Sequence, residues 1–224
     1  MVAVLAIGPA VVSGGVSGAS VEFMKPHSNI ENLSDSAGSR CGVDISGKLV
    51  AAALTFSAEL HRGEDVDGHF RLVHSYVHAL IATLGASAII LVFDGGRFPL
   101  KAKTHADRAK KAAEQERLAR ESDSEAGRPG AIASECREKA RSHWKRVLNR
   151  GALLALKEFT IDLCLKLGVA YVVAPFEADS QLAALAHWGF IDTVIAATDD
   201  SDFIFYGVPL PVPSLRPVVL ATCF

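Results

Sequence analysis

Six carboxylates stand out by where they fall in the chain. Asp44 closes CGVD and Asp94 closes IILVFD. Glu177 and Asp179 lie in PFEADSQLA, and Asp200 and Asp202 lie in ATDDSDF. Each follows an apolar run that reads as a buried strand. Two like charges about 4 Å apart repel by about 4 kcal/mol at an effective dielectric near 20. A fold that gathers such groups must keep several protonated or neutralise them with cations. Oxygen donors without a matching His or Cys suit hard divalent ions, Mg²⁺ with Mn²⁺ as a substitute, better than zinc. Two such ions about 4 Å apart suit phosphodiester hydrolysis, one activating water and the other stabilising the leaving oxygen.

Each piece also has a plainer reading. Asp94 before Gly95-Gly96 is a common strand-to-turn residue and a ready cap. Asp199-Asp200-Ser201-Asp202 can cap a turn, because Asp and Ser bond local backbone N–H groups. Glu177-Ala178-Asp179 can be the acidic first turn of a helix. Glu177 and Asp179 share a face if the strand is still extended there, and both stay near the edge if Asp179 opens the next helix. The coincidence of four acidic strand ends is what favours chemistry.

The elements that must position these residues alternate along the chain. Residues 40–46 read as a strand ending at Asp44, and residues 48–62 as a helix. A second helix runs from Val66 to Leu84 and is closed by Gly85. Residues 87–96 form a continuous apolar run, as in a strand buried on both faces of a parallel sheet. A basic, Ala-rich helix follows over 101–120, then a loop over 121–134. Residues 135–167 are helical, with a break near Asn149-Arg150-Gly151. A third strand spans 169–179, a helix 181–189, and a fourth strand 192–202. This pattern predicts an α/β fold with a mostly parallel central sheet flanked by helices. The acids then share the carboxyl edge of the sheet, where open α/β folds bind ligands.

Half of the 224 residues are hydrophobic and the net charge is −2. That balance hides an asymmetry. From Arg97 to Arg150 there are 15 Lys+Arg against 8 Asp+Glu, a local +7, which leaves 8 against 17, or −9, elsewhere. An acidic part and a basic segment suggest metal on one side and phosphate on the other. Cys41, Cys136, Cys164 and Cys223 show no paired spacing and read as ordinary thiols of a reducing compartment. No apolar run has membrane-spanning length. The opening MVAVLAIGPAVVSGG has no basic start and is cut by Gly8-Pro9, so it reads as a disordered leader. His74 and His78, four apart on a helix, lack a third zinc ligand. Trp144 and Trp188 read as packing residues. Gly96 stands where a phosphatase of the Asp-x-Asp type needs its second acid.

APFEADSQLAAL, ATDDSDFIFYG, ILVFDGGRFPLK and, more weakly, CGVDISG resemble the XPG-type structure-specific nucleases, the family of flap endonucleases and 5′–3′ exonucleases. The resemblance spans residues 15–207. It implies a PIN-like nuclease core with an N-terminal region over about 15–100, a helical arch over about 101–150 and an internal region over about 151–207. A leader (1–14) and a proline-rich tail (208–224) lie outside it. It implies two divalent metals held by Asp44, Asp94, Glu177, Asp179, Asp200 and Asp202, with Asp199 behind them. It makes Lys101 and Arg108 the active-site cations, seven apart on one helical face, with Lys110, Lys111, Arg117 and Arg120 widening the basic surface. Arg137, Lys139, Arg141, Lys145, Arg146 and Arg150 either extend that surface or face water. The partner implied is DNA with 5′ ends or flaps, contacted through phosphates. A nuclear monomer that meets repair or replication proteins is the setting implied.

The sequence departs from the family pattern in three places. GVSGAS (15–20) stands for the family's N-terminal element and lacks its Leu-Leu. Ser46-Gly47-Lys48-Leu49-Val50 replaces an aromatic followed by Trp-Leu-His. Beyond Gly207 a tail with four of the nine prolines replaces the Gly-x-Asp ligand and the helical duplex clamp. A non-catalytic fragment that binds nucleic acid or a partner is therefore the alternative expectation.

Overall fold

The computed structural model describes residues 38–64 and 66–195. The leader, GVSGAS, Asp199, Asp200, Asp202, Cys223 and the proline-rich tail lie outside these residues, as does the end of the expected fourth strand. The described residues form four strands: β1 (Cys41–Asp44), β2 (Ile89–Phe93), β3 (Ala170–Val173) and β4 (Thr193–Ile195). They also form helices α1 (Ser46–Thr55), α2 (Ser57–His61), α3 (Gly68–Leu84), α4 (Ala102–Glu125), α5 (Ala133–Trp144), α6 (Arg150–Leu167) and α7 (Ala178–His187). The chain divides into two compact units. The sheet unit takes its described residues from 38–48, 74–96 and 161–195, and the helical unit comprises 49–73 and 97–160.

In the sheet unit all strands are parallel, in the order β3-β2-β1-β4. The chain moves outward from β1 to β2 and β3, then returns to the far side of β1. A crevice opens outside the carboxyl ends of strands at such a reversal. Asp44 ends β1 at this point, and β4 pairs beside β1. One face of the sheet packs on α7 through Val92, Ala174, Ala178, Leu182, Leu185, Ile191 and Val194. Gly42 on β1 belongs to this face, because a Cβ there would stand 2.5 Å from Ile191 Cδ1 and 2.6 Å from Leu182 Cδ2. The alternate residues Cys41, Val43, Leu91 and Phe93 are fully buried as well, so both faces are covered, as the continuous apolar run of β2 requires.

The amino ends of the strands are tied by a bidentate pair. Asp192 Oδ2 accepts the Arg40 backbone N–H at 2.9 Å and its Nε–H at 3.1 Å, and Oδ1 accepts from Nη2 at 2.7 Å. These bonds and the guanidinium charge hold Asp192 down to about 2, below the usual carboxylate range.

The helical unit is built on Trp144. α5 packs on both α4 and α2, and Trp144 lies buried with Ala58, Ala119, Ala140 and Val147. Its indole N–H donates to Asp123 Oδ2 at 2.8 Å, while Arg62 Nη2 donates to Oδ1 at 2.7 Å. Burial pushes the Asp123 carboxyl up, but these two donors outweigh it and hold it below its ordinary value. The His61 ring stacks on Trp144 with centroids 4.3 Å apart.

Four expectations need correction. The helix over 48–62 is two helices, because the buried Ser57 hydroxyl donates to the distant Val147 carbonyl at 2.5 Å and restarts the chain after Phe56. ESDSE (121–125) is helix rather than loop. Ser122 is buried, Asp123 is anchored as above, and Arg117 Nη1 bonds Glu121 one turn away. β3 ends at Val173, well short of Asp179. Trp188 is 47% exposed, unlike the buried Trp144. Of the cysteines, Cys41 and Cys164 are buried and Cys136 is half-buried. No helix among the described residues is long and apolar enough to cross a membrane.

Candidate active site

Four of the six expected acids lie among the described residues of the sheet unit, at the carboxyl ends of β1 and β2 and at the start of α7. β1 delivers Asp44 and β2 delivers Asp94, one residue beyond its last rung. Asp44 pairs in register with Val92, so the two acids leave adjacent strands two positions apart. Glu177 occupies the position just before α7, in extended backbone, and Asp179 stands in its first turn. Of the two geometries open in the sequence, the helix-opening one is therefore adopted. The positive end of the helix dipole favours carboxylates here.

A chain of hydrogen bonds fixes three of these segments together. Asp44 Oδ1 accepts the Ser46 N–H at 2.9 Å. The Ser46 hydroxyl oxygen accepts the Asp94 N–H at 2.8 Å. Asp94 Oδ1 then accepts the Ala178 N–H at 2.8 Å. Glu177 makes no side-chain cap of its own helix, so Asp94 caps α7 from a neighbouring strand. The plain reading of Asp94 as a cap is thus correct, and it places an acid at the carboxyl edge all the same.

Gly95 and Gly96 hold this arrangement by close approach. The Gly95 N–H donates to the Phe176 carbonyl at 2.6 Å and the Gly96 N–H to the Pro175 carbonyl at 3.0 Å. A Cβ at Gly95 would overlap the Ala174 carbonyl oxygen. The two glycines therefore let the β2 turn lie against the β3–α7 loop and bring Asp94 to Ala178. Tyr76 from α3 also reaches this edge. Burial pushes its hydroxyl up, and the Asp44 charge adds to the effect. Lys48 stands 5.2 Å over the Tyr76 ring, its amine lowered by burial.

Ser46 and Tyr76 escaped the sequence reading. A serine two residues after the acid was a visible signal for Ser46, since Ser and Asp exchange such local bonds. Nothing local marks Tyr76, whose place depends on how α3 packs.

The donor set is all oxygen and suits a hard dication in kind. Among the described residues, however, no three His, Cys, Asp or Glu side chains stand close enough together to hold a metal ion. Asp200 and Asp202, the remaining acids of the expected set, lie outside those residues. His74 and His78 do face each other, with ring centroids 4.2 Å apart, and no third ligand joins them among the described residues.

The expected cations belong to the helical unit. Lys101 precedes α4 rather than lying in it, at the end of a short 3₁₀ turn, Pro99–Lys101. Proline at the start of that turn presets its backbone. Arg108, Lys110 and Lys111 are exposed on α4 and have no ion-pair partner among the described residues. Arg117 and Arg120, expected to widen the basic surface, are exposed and ion-paired. Arg117 bonds Glu114 and Glu121, and Arg120 bonds Glu116, all on their own helix. Pairs at three and four residues favour such closure, so the available charge concentrates in the first half of α4. Arg141 is likewise taken by Glu59 at 2.8 Å.

A parallel α/β sheet with acids at its carboxyl edge defines a ligand-binding α/β class. The comparisons make this specific. The family pattern described as the XPG I-region matches residues 168–215. The chain is 32% identical over 193 residues to Exonuclease 1 of Drosophila melanogaster, covering 86% of this chain and 24% of the fly protein. It is 34% identical over 165 residues to Exonuclease 1 of Arabidopsis thaliana, covering 74% of this chain and 20% of the plant protein. The chain thus spans a quarter or less of the length of these two relatives. In fold it resembles the catalytic core of Rad2 solved in complex with DNA substrate, with a TM-score of 0.51 at 19% identity over 87% of this chain and 47% of that one. The XPG I-region match and the similarity to Exonuclease 1 support an XPG-type nuclease family for this chain, and the likeness to Rad2 bears on the fold alone.

Proposed function

We propose that the chain is the N-terminal and internal nuclease core of a metal-dependent DNA nuclease, a 5′–3′ exonuclease or 5′-flap endonuclease. The observation that carries the reading is the bonded run from Asp44 through Ser46 and Asp94 to Ala178, which holds acidic segments at one sheet edge in a chain similar to Exonuclease 1. Asp44, Asp94, Glu177, Asp179, Asp200 and Asp202 would hold two Mg²⁺ ions, with Mn²⁺ as a substitute. When bound, the ions supply the hard positive charge that polarises a phosphodiester and acidifies water. The protein's part is to hold the carboxylates in place before substrate arrives. In the helical unit, Lys101 and Arg108, with Lys110 and Lys111, bind DNA phosphates, which gives affinity without sequence preference. The setting that fits is a nuclear monomer acting on 5′ ends or flaps in repair or replication, in contact with proteins of those processes.

One observation favours a second reading. Ser46-Gly47-Lys48-Leu49-Val50 departs from the family pattern beside Asp44, as in a fragment that binds nucleic acid without cutting it. Turnover separates the two. The purified chain is incubated in Mg²⁺ with a 5′-flap substrate and a recessed-end duplex, beside Asp94→Asn and Asp94→Ala. Asn keeps an oxygen to cap Ala178 but loses the charge. Cleavage by the native chain that both variants lose by about 100-fold or more, with Asp94→Asn retaining native stability, supports the nuclease. Equal background in all three with retained DNA binding supports the second reading.

A further inference from the structure

We infer that Ser46 is a positioning residue that locks the two carboxylates of β1 and β2 into one register at the sheet edge. The inference rests on the nuclease reading for its consequence but on geometry for its substance. In a parallel ladder the bonds alternate between partners of the neighbouring strand. The Ile45 N–H donates to the Val92 carbonyl at 3.2 Å. A ladder continued by one rung would give the Asp94 N–H to the Ile45 carbonyl. That carbonyl instead accepts the Lys48 N–H at 3.0 Å, because the chain has turned into α1. The last rung is lost just where the second acid must be held.

The Ser46 side chain replaces it. Its hydroxyl oxygen takes the Asp94 N–H at 2.8 Å, and its own backbone N–H is held by Asp44 Oδ1 at 2.9 Å. One residue therefore grips the carboxylate of the first acid and the backbone of the second. Asp94, so held, passes the constraint on to the Ala178 N–H and the start of α7, where Glu177 and Asp179 stand. The Asp44–Ser46 bond is local, and the hydroxyl is the atom that couples the β1 end to the β2 end beyond their last rung. An alanine would leave the Asp94 amide to water and let its turn move against Asp44. Threonine keeps the oxygen and restores the bond.

The test uses the full chain as Ser46→Ala and Ser46→Thr. Amide hydrogen exchange is read at Asp94 and Ala178, and Mn²⁺ binding is read by electron paramagnetic resonance. Ser46→Ala is expected to speed exchange at both amides by about three- to tenfold, the worth of one net hydrogen bond. It is expected to weaken Mn²⁺ binding by a similar factor, with recovery of both in Ser46→Thr. Unchanged protection at Asp94 and Ala178 in Ser46→Ala overturns the inference. So does a lowered melting temperature with exchange and Mn²⁺ binding intact, which marks a merely structural serine. If exchange responds as expected but the native chain binds no Mn²⁺, the positioning stands and the nuclease reading falls.

Discussion

Asp94 shows how one carboxylate can be fastened by structure at the edge where chemistry is proposed. One oxygen caps α7 through the Ala178 N–H, while the backbone N–H is held by Ser46. A side chain fixed this way loses little further freedom when a cation arrives, which is what a preformed site needs. Asp192 shows the contrasting case, a carboxylate at the opposite edge that only fastens strands. Arg40 and its backbone N–H depress Asp192 from 3.8 to about 2 in the folded chain. A depressed carboxylate contributes stability that is complete above its unfolded value and is lost as pH falls through the folded one. The Arg40–Asp192 contribution is therefore expected in full above about pH 4 and to fade between about pH 4 and 2. Melting temperatures of the native chain and Asp192→Asn, followed against pH, check this. The gap between them should close on acidification, and a gap that is constant down to pH 2 would count against the assignment.

At the scale of elements, the critical contact is that of the β2 turn against the β3–α7 loop. The Gly95 and Gly96 amides bond the Phe176 and Pro175 carbonyls, and no side chain fits at Gly95. Gly95→Ala must push the two segments apart, at a cost of about 1–3 kcal/mol typical of overpacking, and must pull Asp94 from Ala178. The two tryptophans make the effect separable, since Trp188 belongs to the sheet unit and Trp144 to the helical unit. Urea unfolding read by Trp188 fluorescence in a Trp144→Phe background is expected to shift to lower denaturant in Gly95→Ala. An unshifted transition would remove Gly95 from the site's framework. In the helical unit, α4 runs on through Glu125 because Asp123 is tied to Trp144 and Arg62. The Asp and Ser residues that suggest a loop are thus held in helix by tertiary partners.

At the scale of the whole molecule, charge is divided as composition suggests, acids at the carboxyl edge of the sheet and cations in the helical unit. Arg117 and Arg120 are exposed but ion-paired with glutamates of their own helix, whereas Arg108, Lys110 and Lys111 in its first half are not so paired among the described residues. Nucleic-acid binding through phosphates weakens with salt in proportion to the contacts made, by about 0.7 in log–log slope per phosphate of a single strand and about 0.9 for a duplex. Replacing Arg108, Lys110 and Lys111 together by alanine is expected to lower the salt slope of DNA binding by about 2–3. Replacing Arg117 and Arg120 should lower it far less. Fluorescence anisotropy with a labelled 5′-flap DNA across a salt series distinguishes them, and equal slopes for the two sets would remove α4 from the binding surface.

Much of this was legible in the residues themselves. Strand β2 announces itself as an apolar run too continuous for a half-exposed strand, Gly85 and Gly189 mark helix ends, and the acids declare themselves by falling just past apolar runs. These features are local, set by side-chain period and backbone preference over a few residues, so a single chain displays them openly. What the chain could not display was every feature that depends on partners distant in sequence. The restart of the helix at Ser57 needs Val147, the helix through ESDSE needs Trp144 and Arg62, and the approach of Tyr76 to Asp44 needs α3 and the end of β1 brought together. The Ser46 bond to Asp94 spans 48 residues, and the Asp94 bond to Ala178 spans 84. Such contacts form only when parallel strands bring their carboxyl ends side by side. The kinds of groups at the site were therefore written in the sequence, while their mutual support was decided by the tertiary fold.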